Sequence, residues 1–175
     1  MQPLRDPRPT PDLKICGITD PEQAQAIAQM GVQAIGVIGV PGTPRYVEPP
    51  QRRALFQLLE EQHPQLHRVW VVADPDDAAL EEGLNGAGQP SVVQLHGSES
   101  SERCQKLKQR HPRQQWWKAL RVREPDDLKQ LEQYAPHVDA LLLDAWSADQ
   151  LGGTGHRIPL DWLAETELSV PWWLA

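Results

Sequence analysis

The sequence has few of the features that define several protein classes. Its 175 residues include only two cysteines, Cys16 and Cys104, with no CxxC spacing between them, so neither a disulfide framework nor a cysteine zinc site is expected. No apolar run approaches the roughly 20 residues of a membrane span. The N-terminus lacks the apolar core of a signal peptide. We therefore expect a cytoplasmic protein that has no membrane partner.

Positive charge is also scarce. Lysine and arginine number 17 against 24 acidic residues, a net charge of -7, which argues against a general nucleic-acid binder because phosphate neutralisation needs clustered cations. The short basic run at 51–53 is predicted to be a solvated helix face.

No HExxH motif occurs, and Pro64 interrupts the helical spacing of His63 and His67, so no metal site is predicted.

Short apolar runs alternate with amphipathic segments along the chain. Buried parallel strands are predicted at 13–18, 34–40, 68–73, 91–97, 116–122, 138–145 and 170–175. Helical spacing is found between them, at 21–31, 49–62, 76–85, 101–111, 124–135 and 159–165. Repeated βα units predict an α/β fold with a parallel sheet. An open doubly wound sheet and a (β/α)8 barrel both fit this count.

The chain is predicted to divide into two parts. Residues 1–12 are rich in proline and charge and predict a flexible N-terminal leader. Residues 13–175 carry all the apolar runs and predict a single barrel-type domain.

Polar residues recur where the predicted strands end. Cys16, His96 and Asp144 end three of the runs, and Arg45 follows a fourth. In a parallel barrel these ends share one face, so the four would converge there. A thiol and a carboxyl group can act as general base and general acid, and strand alternation places Lys14 beside Cys16, where an ammonium favours the thiolate.

Each of these residues also has a structural interpretation. Cys16 can be a small buried thiol, His96 a core histidine, Asp144 a helix cap and Arg45 a loop charge. The "GGTG" stretch at 152–155 lacks the lysine of a phosphate-binding P-loop. It is interpreted as a lid loop or a plain turn.

The motifs "LKICGIT", "GVPGTPRYV", "VVQLHGSES", "KALRV", "LLLDA" and "GGTGHRIPLDW", in this order, resemble those of phosphoribosylanthranilate isomerases. This resemblance implies a (β/α)8 barrel and an Amadori rearrangement of N-(5'-phosphoribosyl)anthranilate in tryptophan biosynthesis, with neither a cofactor nor a metal. The partner it implies is this small phosphosugar–anthranilate substrate. The resemblance makes Cys16 the general base and Asp144 the general acid. It places Arg45 at the anthranilate carboxylate, and His96, Lys14, Gly152 and Gly153 in the substrate site.

The family continues beyond its seventh strand into loops that hold the substrate phosphate, whereas this sequence stops at "PWWLA". We therefore expect a barrel truncated after the seventh strand. The 175-residue chain would be a monomer or weak homo-oligomer with little turnover. The alternative function is a non-catalytic partial barrel that needs a partner, or the missing C-terminal segment, to fold and act.

Overall fold

A computed structural model describes residues 11–146, 157–164, 166 and 168–175. They contain one sheet of seven parallel strands, in which each strand pairs with the next one along the chain. The strands are β1 (Lys14–Cys16), β2 (Ala34–Ile38), β3 (His67–Val72), β4 (Val92–Leu95), β5 (Gln115–Val122), β6 (Ala140–Ala145) and β7 (Trp172–Leu174). All seven predicted strands are therefore confirmed.

The segments between the strands are helical, as the spacing predicted. The α-helices are α1 (Pro21–Gln29), α2 (Pro49–Gln62), α3 (Asp77–Leu84), α4 (Ser101–Arg110), α5 (Leu131–Tyr134) and α6 (Leu160–Leu163). The segment after β5 begins instead as a 3₁₀ helix, Pro125–Gln130. No helix in the described ranges is long and apolar enough to cross a membrane.

The ends of α1 show why the helices begin and end where they do. The Asp20 side chain accepts a hydrogen bond from the backbone N–H of Gln23, and Pro21 follows as the first helical residue. Gly31, just beyond the helix, has a φ of 82°, a left-handed conformation that glycine adopts without a steric penalty. The loop to β2 therefore needs only a few residues.

All the helices that contribute to the core pack on one face of the sheet. Their apolar side chains form one buried cluster with outward strand residues such as Ile35, Val37 and Val93. A second cluster holds strand residues alone, among them Val69, Val92 and Trp117. An open doubly wound sheet would carry helices on both faces. Helices on one face and sequential strand order are the barrel arrangement.

The inner cluster is closed at one side by stacked indoles. Trp117 of β5 and Trp173 of β7 lie with ring centroids 5.0 Å apart, and His67 meets Trp117 edge-on at 5.7 Å. These large side chains fill the floor of the curved sheet. The opposite end of the inner face, where the strands finish, carries polar side chains such as His96 and Asp144.

The predicted solvated helix face at 51–53 is wrong for Arg52. This residue is 2% exposed, and its guanidinium lies over the Trp70 ring, 4.0 Å from the centroid. The indole face stabilises the cation in a site that desolvates it, and burial lowers the Arg52 pKa to about 10.

Ten residues of the predicted leader, 1–10, lie outside the described residues.

Candidate active site

Cys16 is the last residue of β1 and points into the inner face of the sheet. It packs against the inner cluster and is partly buried. Its register partner on β2 is Gly36, and a Cβ atom at Gly36 would lie 2.6 Å from the Cys16 Sγ. Glycine at that position is therefore what leaves room for the thiol.

Arg45 lies in the loop that follows β2 and reaches back to β1. Its Nη1 donates a hydrogen bond to the Cys16 carbonyl at 3.1 Å. Gly17 permits this approach, because a Cβ there would come within 2.3 Å of the same Nη1 atom. Among the described residues, this is the hydrogen bond that the Arg45 guanidinium makes, and its other N–H groups can bind an anion.

His96 and Asp144 are brought together from strands that are not neighbours. The Nε2 atom of His96 lies 3.2 Å from Oδ2 of Asp144, and their side chains are 10% and 9% exposed. On the other side of the imidazole, Gln94 Nε2 lies 3.4 Å from Nδ1. When Asp144 is ionised its oxygens only accept, so in that state the imidazole Nε2–H is the donor of this contact.

Lys14 lies two positions before Cys16 on β1, hence on the same face. Its side chain is half-buried. Among the predicted site residues, the structure thus joins Cys16 to Arg45 and His96 to Asp144. Gly152 and Gly153 lie outside the described residues.

Three further polar residues, in β5 and in the loop after β4, were not predicted from the sequence. Lys118 of β5 donates to Glu99 at 2.7 Å, and both side chains are buried. Arg121, also on β5, is the register partner of Asp144. The signal for Lys118 is its position inside the apolar run "WWKALRV", where an ionised side chain needs a partner.

The described residues contain no group of three or more side chains suited to hold a metal ion. The site residues supply the thiol of Cys16, the carboxyl group of Asp144 in contact with the His96 imidazole, and the cationic side chains of Arg45 and Lys14. These are the elements of acid–base chemistry on an anionic substrate.

Comparison with known proteins gives the same family throughout. The model of the N-(5'-phosphoribosyl)anthranilate (PRA) isomerase family matches residues 13–175. An N-(5'-phosphoribosyl)anthranilate isomerase of Thermosynechococcus vestitus is 46% identical over 165 residues, which are 93% of this chain and 69% of the relative. The isomerase of Gloeobacter violaceus is 44% identical, again over 93% of this chain, and over 72% of its own.

Solved structures agree. The phosphoribosyl anthranilate isomerase of Thermotoga maritima superposes with a TM-score of 0.69 at 30% identity, over 81% of this chain and 64% of its own. A phosphoribosyl anthranilate isomerase in complex with reduced 1-(o-carboxyphenylamino)-1-deoxyribulose 5-phosphate gives 0.66 at 30% identity, over 78% and 66%. The chain thus spans somewhat less than two thirds of these two structures.

Proposed function

The chain belongs to the N-(5'-phosphoribosyl)anthranilate isomerase family, and we propose that it catalyses that family's isomerisation with Cys16 as general base and Asp144 as general acid. The observation that carries the proposal is the position of Cys16 and Asp144 on the inner face of one parallel sheet, at the ends of β1 and β6. Catalytic groups of parallel barrels occupy this end.

The first step needs a proton donor. Asp144 gives its proton to the ribose ring oxygen, the C1'–O bond breaks, and the amine lone pair forms an iminium. His96 occupies one carboxyl oxygen, Oδ2, at 3.2 Å, which leaves Oδ1 for the substrate. The N–H donated by His96 stabilises the carboxylate that remains after the proton has left.

The second step needs a base. The Cys16 thiolate removes the C2' proton, and the bonding electrons move toward the iminium to give an enolamine, which tautomerises to the ketone. C1' is thereby reduced and C2' oxidised within one molecule. Because the electrons stay in the substrate, the reaction needs no external redox partner.

The remaining predicted residues are proposed to bind the substrate. Its carboxylate and phosphate carry the negative charge that Arg45 and Lys14 complement. We assign Arg45 to the carboxylate, because a guanidinium can hold it with two parallel N–H bonds. Gly152 and Gly153 are proposed to contact the substrate through the loop after β6.

The direct test follows the loss of phosphoribosylanthranilate fluorescence in the natural full-length protein. Turnover without added metal or nucleotide is the expected result. Absence of turnover in a folded sample would contradict the proposal. Turnover by the full-length protein but not by the 175-residue chain would favour the alternative of a partial barrel that needs the C-terminal segment. Three further predictions stand: a single domain over 13–175, a monomeric or weakly self-associating state, and a cytoplasmic location. Sedimentation can check the association state, and cell fractionation can check the location.

A further inference from the structure

A buried ion pair lies between the sheet and its helices, on the face opposite the proposed substrate site. Lys118 comes from the middle of β5, and its Nζ donates to Glu99 Oε2 at 2.7 Å. The two side chains are 2% and 3% exposed. Neither residue has a role in the acid–base chemistry described above. Each charge in this buried pair depends on the other, because removing one partner leaves an uncompensated buried charge.

Both partners bind the backbone of one residue, Gly97, which follows His96 directly. The Lys118 Nζ donates to the Gly97 carbonyl at 2.7 Å. Glu99 Oε1 accepts from the Gly97 N–H at 3.3 Å. The two polar backbone groups of Gly97 are therefore held by the two halves of the ion pair.

The loop after β3 holds the same turn from its other side. Glu99 Oε1 also accepts from the Asp74 N–H at 2.7 Å, and Asp74 Oδ1 accepts from the Ser98 N–H at 2.8 Å and from its hydroxyl at 2.9 Å. Asp74 adopts a φ of 47°. A Cβ at Gly97 would lie 2.5 Å from Asp74 Oδ2. The backbone after His96 thus has little room to move.

From this geometry we infer that Lys118 and Glu99 are positioning residues for the general acid. They fix Gly97, Gly97 fixes the backbone of His96, and His96 donates to Asp144 at 3.2 Å. That contact is already near the long limit of a hydrogen bond. A shift of a few tenths of an ångström in the Gly97 backbone would weaken it. This inference rests on the role proposed for Asp144.

The competing explanation is that the pair only stabilises the fold. Three variants of the natural full-length protein separate the two. Lys118→Met leaves Glu99 buried and unpaired, so it is expected to lower the melting temperature and kcat together. Lys118→Met combined with Glu99→Gln removes both charges, so most of the stability should return. The donor to the Gly97 carbonyl stays absent in that double variant.

The matched control removes a buried cation far from the site. Arg68 is 7% exposed and pairs with Glu60 at 3.0 Å near the start of β3, the end of the sheet opposite His96. Arg68→Met is expected to lower the melting temperature while kcat and its pH dependence stay as in the unmodified protein.

In the double variant we expect kcat to fall by about 10-fold or more, with KM changed by less than about 3-fold. The pH–rate profile should shift, because the contact between His96 and Asp144 is loosened. The charges of Lys118 and Glu99 are removed together, so the net charge stays the same, and Arg121 and Asp74 are unchanged. A double variant with the unmodified kcat and pH profile would overturn the inference.

An NMR titration of the His96 ring keeps this inference distinct from the proposed function. The ring signals and their pH dependence should change in the double variant and not in Arg68→Met, whether or not the protein turns over its substrate. Unchanged His96 signals in the double variant would overturn the positioning role. Loss of turnover in the unmodified protein would instead overturn the proposed function.

Discussion

His96 Nε2 lies 3.2 Å from Oδ2 of Asp144, although their strands are separated by β5. The contact can form because both side chains point to the inner face of a curved sheet and project across the intervening strand. The imidazole therefore holds the carboxyl group from one side only. Cys16, the proposed base, packs on the same inner face at the end of β1.

Replacing Asp144 with asparagine tests the general acid. Asparagine keeps the shape and the acceptor for His96 but has no acidic proton, so kcat should fall by roughly 100- to 10,000-fold with the fold intact. Steady-state kinetics and circular dichroism check this. Asp126→Asn, at a side chain that is 77% exposed, is the control. An Asp144→Asn protein with full activity would exclude the proposed acid.

Replacing His96 with asparagine tests whether it acts through Asp144. We expect a smaller loss of kcat than for Asp144→Asn, because the carboxyl group is still present but is no longer held. In the Asp144→Asn background the same change should cost little more, since coupled residues are not additive. Fully additive losses in this double-mutant cycle would show that His96 acts independently of Asp144.

The two cysteines should differ sharply in reactivity. Cys104 is fully enclosed between α4 and the sheet, and burial raises the pKa of its thiol to about 11, so at pH 7.5 it stays protonated and inaccessible. Cys16 is partly exposed. Iodoacetamide should modify Cys16 first and inactivate the enzyme, with Cys104 reacting only in denaturant, as peptide mass spectrometry would show. Cys16→Ala should abolish turnover, whereas Cys104→Ala should retain it.

A methyl group at position 36 should displace the Cys16 thiol while leaving the thiol group itself intact. The Cβ of Gly36→Ala would lie 2.6 Å from Sγ and 3.3 Å from Cα of Cys16, so the thiol must move and kcat should drop. Gly31→Ala is the control, because its Cβ meets nothing within 4 Å although its φ of 82° strains the backbone. A Gly36→Ala enzyme with normal kcat would show that the thiol position is not critical.

Asp77 should contribute stability that depends on pH. Its pKa is lowered by the hydrogen bond from Arg103 and further by Arg110, so the unfolded chain takes up the proton more readily. The contribution is therefore present above the ordinary pKa of 3.8 and is lost as pH falls through the lower folded value. Asp77→Asn should reduce the melting temperature at pH 7, and this reduction should become smaller as the pH falls below 3.8. Added salt should narrow the difference at pH 7.

The strand order was predictable because each buried strand is a short apolar run bounded by turn residues. Buried charged residues could not be predicted from the same local pattern. Arg52 follows the helical pattern of a solvated residue, yet it is buried by an aromatic ring on β3, which no local pattern reveals. Lys118 finds its carboxylate in a loop 19 residues earlier. The positions of Cys16, His96 and Asp144 at strand ends were predictable, whereas the groups that contact them depend on long-range packing.

The opposition of Gly36 and Cys16 has a consequence for how this site can vary. Any side chain at position 36 competes with the thiol for the same volume. A larger residue at position 36 would therefore require the thiol to move. The space available to the proposed base is thus set by a neighbouring strand, at a position that takes no part in the chemistry.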